Sequence, residues 1–234
     1  ADGGDDADIW AGLTELGVPA LLIPEAQGGI GLDPLDAAIV AESLGAHITP
    51  SPFLGTAVMA PTALVASGGK YDDLLAEIAA GTHRVGIAFS EAIKRRNDAQ
   101  VEARDGRLFG KSLFAFDADA DSYLVADQKQ HLYLVAADDP GLTRTHLTTV
   151  DKTRRTVELT YDNAAAQSVS TDVRVFESVL DIGRVAIAAD TMGAAQNMLD
   201  QAVEYAKQRE QFNRPIGSFQ AVKHMCAEMA AQLE

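Results

Sequence analysis

The side chains able to do chemistry are sparse and unevenly placed. Five histidines, His47, His83, His131, His146 and His224, show no HExxH or comparable ligand spacing, so each reads as a polar or half-buried residue and no metal centre is expected. Cys226 is the only cysteine in these 234 residues. It leaves no partner for an internal disulfide or a thiolate metal site, and it falls on an apolar helical stripe where a core role is simplest. No phosphate-cradling P-loop is present, and Gln27-Gly28-Gly29-Ile30-Gly31 lacks the flanking strand and helix of a dinucleotide fingerprint, which makes it a turn. What remains is cationic chemistry. Residues 1–80 hold 12 acidic and 1 basic residue, residues 81–172 hold 14 and 12, and residues 173–234 hold 8 and 6. The arginines lie in the later two blocks, so an anionic ligand belongs there.

The whole chain has 19 Lys and Arg against 34 Asp and Glu, a net charge of −15, with 47% hydrophobic and 23% charged residues. That is the balance of a folded chain with one large or two smaller cores. A surface this acidic repels phosphate backbones and anionic lipid, so neither nucleic acid nor a membrane surface is expected as partner. Asp, Glu, Lys, Gly or Pro interrupts every apolar run before it reaches the length of a membrane span. The opening Ala-Asp-Gly-Gly-Asp-Asp has no secretory pattern, and with one cysteine the expected compartment is the reducing cytoplasm.

The elements that position these groups fall into three stretches. Trp10, Leu13 and Leu16 recur at helical spacing and Gly17 supplies the stop. Asp33-Pro34-Leu35-Asp36 is an N-cap, a first-turn proline and an early acid. Two further helices are predicted around Thr56 to Ala66 and Tyr71 to Ala80. From Arg84 the period becomes that of strands: Val85 to Phe89, Val101 to Arg104 and Arg107 to Lys111 about the turn pair Asp105-Gly106, then Tyr123 to Ala126, Leu132 to Val135 and Thr156 to Thr160. From Val173 the helical period returns, with Val185, Ala188, Met192, Leu199, Val203 and Ala206 near one face. Asn213-Arg214-Pro215 ends that helix, and Ser218 is read as the cap of a second one bearing Phe219, Val222, Met225, Met229 and Leu233. Its pattern still runs at Glu234, so further helices are expected. The predicted class is α+β: an N-terminal helical domain (1–82), a middle antiparallel β-barrel or sandwich domain (83–172), and the start of a C-terminal helical bundle (173–234).

The segment Tyr205-Ala206-Lys207-Gln208-Arg209-Glu210-Gln211-Phe212-Asn213-Arg214-Pro215-Ile216-Gly217-Ser218-Phe219-Gln220-Ala221-Val222-Lys223-His224 resembles the signature of the acyl-CoA dehydrogenase family. Pro24-Glu25-Ala26-Gln27-Gly28-Gly29 is similar to that family's Pro-Glu-x-x-Gly-Gly element, and Asp151-Lys152-Thr153-Arg154-Arg155 to its Asp-x-Thr-Arg-Arg turn. The resemblance implies FAD held between the β domain and the C-terminal helices, across a subunit interface. It implies that Arg209 and Gln220 reach the diphosphate of a flavin held mainly by a neighbouring subunit, with Gln211 and Phe212 lining the same region. A guanidinium suits a diphosphate because it gives two parallel hydrogen bonds and stays charged. An acyl-CoA substrate and assembly as a homo- or hetero-oligomer (dimer or tetramer) are implied as well, while the electron acceptor, an electron-transfer flavoprotein or oxygen, is not read from the sequence.

Two departures leave the activity open. Where the resemblance calls for Thr-Glu-Pro and then Gly-Ser-Asp, the chain reads Phe89-Ser90-Glu91-Ala92-Ile93-Lys94-Arg95-Arg96-Asn97, so Ser90 keeps a hydroxyl for the flavin ring while the glycine and serine amides are gone. Phe114-Ala115-Phe116 stands for Trp-Ile-Thr, keeping an aromatic and losing a hydroxyl. Lys94-Arg95-Arg96 reads as a solvated loop rather than a grip on CoA phosphate. No catalytic carboxylate is identified: Gly183 stands where a minority of relatives carry the base, and Asp181 is one turn away and short. Two readings follow. One is an FAD-dependent acyl-CoA dehydrogenase. The other is a catalytically deficient subunit that completes the flavin site of a partner, as in heteromeric bacterial enzymes that trim bulky side chains such as those of steroids.

Overall fold

The computed structural model describes residues 6–94 and 99–233. Helix α1 spans Asp6–Glu15 and stops as expected, with Gly17 in the left-handed region at φ 79°. Helix α2, Pro34–Ala46, begins at a reciprocal box. Asp33 Oδ1 accepts the Leu35 and Asp36 amides at 2.8 and 3.4 Å, and Asp36 Oδ2 accepts the Asp33 amide at 3.1 Å. The helix expected from Thr56 starts instead at Phe53 as a π-helix, Phe53–Met59, and continues as α3, Ala60–Val65. Its wide winding lets Gly55 and Thr56 sit on the first strand: a Cβ on Gly55 would lie 2.6 Å from the Val85 carbonyl oxygen, and the buried Thr56 hydroxyl accepts the Val85 N–H at 3.0 Å. Helix α4, Asp72–Ala79, ends before Gly81, again left-handed at φ 71°. The Gln27 to Gly31 stretch is a tight turn as read, with Gly28 and Gly31 at positive φ and Gly29 pressed on the Ile23 backbone.

Eight strands follow: β1 Val85–Ala88, β2 Val101–Arg104, β3 Arg107–Phe116, β4 Ser122–Ala126, β5 Leu132–Ala136, β6 Leu142–His146, β7 Thr156–Ala165 and β8 Gln167–Ser170. Asp105 and Gly106 take φ 49° and 72°, the two positive values of the tight hairpin their identity demands. The sheet order is β6-β7-β3-β1-β4-β5-β8, with β2 on β3. Among the described residues this is an open path rather than the closed barrel or two-sheet sandwich expected, and it is mixed, because β1 pairs with β4 in parallel. Local periodicity identifies strands but says nothing about which distant strand becomes the neighbour. A short helix, α5 (Ser90–Ile93), follows β1.

The sheet buries both faces. Leu124, Leu132, Val85 and Ile87 pack with Ile23, Leu64, Leu75 and Ile78 of the helical part and with Phe176 and Val179. Tyr123, Val125, Val135, Leu108, Val157, Leu159 and Tyr161 form a second core on the other face. Each fully buried Leu, Ile, Val or Phe contributes roughly 1.5–3 kcal/mol, so the alternation of Tyr123, Leu124 and Val125 supplies both cores from one strand.

Helix α6, Val173–Gln208, runs 36 residues, about 54 Å, and α7 covers Gln220–Leu233. The face of α6 expected inside is partly outside: Val185 and Met192 are exposed, while Phe176, Val179, Ala186, Leu199 and Ala206 are buried. The stripe is set by small residues that a hydrophobic pattern underweights. A Cβ on Gly193 would stand 1.9 Å from the Glu42 carbonyl oxygen, and one on Gly45 would stand 1.9 Å from that of Asp190, so α2 and α6 cross backbone to backbone. Asn197 donates to the Ala46 carbonyl beside the crossing. The structure divides into two compact units, Pro50–Val185 with the described residues up to Ala37, and Ala38–Thr49 with the residues from Ala186 onward. Among the described residues no helix is long and apolar enough to cross a membrane.

Candidate functional site

The segment singled out in the sequence folds as a clasp at the foot of α6. The helix stops at Gln208, five residues before the Asn213-Arg214-Pro215 break expected to end it. The chain then forms a hairpin, β9 (Glu210–Gln211) against β10 (Arg214–Pro215), with Gln211 opposite Arg214. Phe212 and Asn213 turn the corner at φ 56° and 61°. Two positive values define a type I′ turn, and for a phenylalanine that conformation is strained, so the surrounding contacts must hold it. They do: the Ile216 amide donates to the Arg209 carbonyl at 2.7 Å, Phe219 meets Phe212 edge to face with centroids 6.0 Å apart, and the Arg214 guanidinium lies 4.1 Å over the Phe219 ring. Gly217 lets the clasp lie against α6, since a Cβ there would be 2.9 Å from the Ala206 carbonyl oxygen. Ser218 is not the cap of α7: it sits in a 3-10 turn over Ile216–Ser218, and the helix begins at Gln220.

This clasp brings four of the expected site residues together. Arg209, Gln211, Phe212 and Gln220 are all exposed on it, Phe212 by 86%. The Gln211 amide donates to the Glu210 carbonyl at 2.8 Å, which aligns the turn. The electrostatics single out Arg209. Arg84 is held by Asp117, Arg104 by Glu102, Arg155 by Asp119, Arg174 by Asp172 and Arg184 by Asp181. Arg107 and Arg144 are bonded to carbonyls and Arg214 is stacked. Among the described residues Arg209 alone of the arginines has no such partner, in a chain of net charge −15. A guanidinium, a primary amide and the first amides of α7 make a donor set for a diphosphate or a similar anion.

Ser90 lies in the other unit, at the first turn of α5. Its Oγ donates to Glu91 Oε2 at 2.7 Å, and Glu91 Oε1 accepts the Leu113 amide at 2.9 Å. Glu91 is 4% exposed; it matches the glutamate of the Thr-Glu-Pro element, but no role is read for it from the sequence, because a glutamate in the first helical turn is ordinarily solvated. Ile93 and Phe114 are exposed beside this bonded set, so the aromatic survives at the surface, while the half-buried Phe116 stands where the Trp-Ile-Thr element has its hydroxyl. Beneath, Ser112 and Tyr161 share a buried hydrogen bond of 3.2 Å, and burial pushes the Tyr161 phenol well above its ordinary range. Arg95 and Arg96 of the basic loop lie outside the described residues.

The remaining sequence candidates have structural roles. Asp151 Oδ1 accepts both the amide and the hydroxyl of Thr153, which hold its carboxyl below the usual range and form the turn into β7. Asp181 is exposed and paired with Arg184 at 2.8 Å. Gly183 carries no carboxylate and lies against Met59, whose sulfur would be 2.9 Å from a Cβ there. Among the described residues no group of three His, Cys, Asp or Glu side chains is placed to hold a metal.

Comparison with known proteins matches residues 1–82 to the acyl-CoA dehydrogenase N-terminal domain and residues 173–234 to the acyl-CoA dehydrogenase C-terminal domain. The acyl-CoA dehydrogenase IpdE2 of Mycobacterium tuberculosis is 34% identical over 237 residues, covering 98% of this chain and 62% of the relative. The chain thus spans about three fifths of that relative's length. Two solved structures superpose on the whole chain. A Tcur3481-Tcur3483 steroid ACAD variant gives a TM-score of 0.88 at 28% identity over 66% of its chain, and the ChsE4-ChsE5 complex from Mycobacterium tuberculosis gives 0.85 at 26% over 66%.

Proposed function

The chain belongs to the acyl-CoA dehydrogenase family, and from that premise we propose that it is a subunit of an FAD-dependent enzyme that dehydrogenates an acyl-CoA thioester. In this reading the clasp holds the diphosphate of FAD bound mainly by a neighbouring protomer. The observation that carries it is the Arg209 guanidinium, without a partner among the described residues, beside a preformed, exposed turn. FAD, when bound, supplies the two-electron oxidant. Arg209 would give the diphosphate paired hydrogen bonds, Gln220 and the first amides of α7 would add donors, and Phe212 and Gln211 would cover the same stretch. Separately, in the other unit, Ser90, Ile93 and Phe114 would offer a hydroxyl and an apolar shoulder to the ring of a flavin of the chain's own. No carboxylate of this chain is assigned the α proton, because position 183 is a glycine and Asp181 is paired. The domain plan 1–82, 83–172 and 173–234 and transfer of electrons to an electron-transfer flavoprotein belong to the same proposal.

A second reading is supported by Phe116, which stands where the Trp-Ile-Thr element has its hydroxyl, and by the commitment of Ser90 to Glu91. Here the chain lends Arg209 and Gln220 to a competent partner and does no chemistry itself. The names of the structural neighbours, a Tcur3481-Tcur3483 pair and a ChsE4-ChsE5 complex, favour a heteromeric assembly, and the word steroid in the first favours a bulky acyl group. The visible spectrum of the purified protein separates the readings. A stoichiometric yellow flavin on the protein alone supports the first, and a colourless protein that acquires flavin only with a co-expressed partner supports the second. Absence of flavin in both preparations overturns both.

A further inference from the structure

Glu91 occupies a gap in the sheet. Strand β3 is paired with β7 along most of its length, but on its other side β2 covers only Arg107 to Gly110 and β1 meets only Phe116. The Leu113 amide falls in the uncovered stretch and is taken by the Glu91 carboxylate at 2.9 Å. This half-buried amide has its acceptor in Glu91, and the bond accounts for one carboxylate oxygen. The second oxygen accepts the Ser90 hydroxyl at 2.7 Å. A hydroxyl has one proton and two acceptor sites. With that proton given to Glu91, only lone pairs of Ser90 remain for a ligand.

We infer that Glu91 is a positioning residue that fixes Ser90 as an acceptor, so that the ring-side ligand must meet it with an N–H. The inference rests on the reading in which a flavin ring lies beside Ser90. The polar edge of the oxidised ring carries acceptors at N1, O2, O4 and N5 and a single donor, the imide N3–H. Ser90 therefore addresses N3–H, and Glu91 selects that orientation without touching the ring. In Glu91→Gln the side-chain oxygen keeps the Leu113 amide while the new NH2 donates to Ser90 Oγ, which releases the hydroxyl proton outward and reverses its polarity.

The test is titration of FAD and of N3-methyl-FAD, followed by flavin fluorescence, into the deflavinated protein in its native assembly. The methyl group removes the only donor, so the wild-type protein is expected to bind the analogue about tenfold more weakly than FAD, the loss of one hydrogen bond. Ser90→Ala brings that ratio close to one by weakening FAD alone, and Glu91→Gln reduces it likewise. If Glu91→Gln melts early, Ser90→Ala decides by itself, because it leaves the hold on Leu113 intact. An equal penalty for the analogue in wild type and in Ser90→Ala overturns the inference and leaves the flavin reading standing. Failure of the wild-type assembly to bind FAD at all overturns the flavin reading and the inference with it.

Discussion

Gly217→Ala tests whether the clasp is positioned by its contact with α6. A Cβ at 217 would stand 2.9 Å from the Ala206 carbonyl oxygen, 3.2 Å from its carbon and 3.5 Å from its Cβ. Two of these atoms are helix backbone and cannot rotate away, so the clasp must lift by about 0.5 Å to reach ordinary van der Waals separation. Overpacking of this kind costs about 1–3 kcal/mol, which for a chain of this size lowers Tm by roughly 2–10 °C. The same lift shifts Arg209, whose carbonyl is tied to Ile216, and losing one charge-assisted hydrogen bond to the diphosphate weakens FAD by roughly tenfold or more. Differential scanning fluorimetry and FAD titration measure the two effects. Gly12→Ala is the control: it lies within α1 with nothing near a new Cβ, so it should leave FAD binding alone and stabilise by about 0.5–1 kcal/mol. If Gly217→Ala melts and binds FAD like the wild type, the contact with Ala206 does not position the clasp.

Other consequences follow from single bonds. Thr56→Val keeps the shape but leaves the buried Val85 amide without its acceptor, and should cost about 1–3 kcal/mol in urea denaturation, whereas Thr56→Ser should recover most of it. The Tyr161 phenol is pushed up by burial, so the unfolded chain ionises first as pH rises; stability is full below the ordinary phenol value and declines above it. Tyr161→Phe should flatten that alkaline decline, read from melts between pH 8 and about 11. The Asp151 carboxyl is held low by Thr153, so the turn before β7 is stabilised at neutral pH and loses that support as pH falls through the lowered value. Thr153→Ala should move the Asp151 carboxyl titration, followed by NMR, back toward the usual range.

Much of this structure is local and therefore legible in the chain. Gly17 and Gly81 stop helices because they alone take left-handed angles cheaply, Asp33 caps because its oxygen reaches two amides, and Asp105-Gly106 turns because both tolerate positive φ. What was not legible is long-range or carried by small or polar residues. The parallel β1-β4 pairing depends on partners 37 residues apart, as Val85 and Ser122 are. The strands Leu142–His146 and Gln167–Ser170 are mostly polar, and β6 shows a single buried position, so neither alternates visibly. The inward stripe of α6 is marked by Gly183 and Gly193, which score as neither apolar nor polar; Gly193 is fixed by backbone contact with Glu42, and Gly183 lies against the Met59 side chain. At the site, the grouping of Arg209, Gln211, Phe212 and Gln220 was legible because one continuous segment carries all four. Glu91 was not, because its role depends on a gap in a sheet that no local pattern announces.

The most direct measurement is the affinity of Arg209→Gln for FAD and for riboflavin, which shares the ring and lacks the diphosphate. A hydrogen bond to a charged group contributes about 1.5–3 kcal/mol, so the substitution should weaken FAD roughly 10- to 100-fold, leave riboflavin within twofold, and be only partly restored by Arg209→Lys. Unchanged FAD affinity, or an equal loss for both flavins, would contradict a diphosphate clasp at the foot of α6.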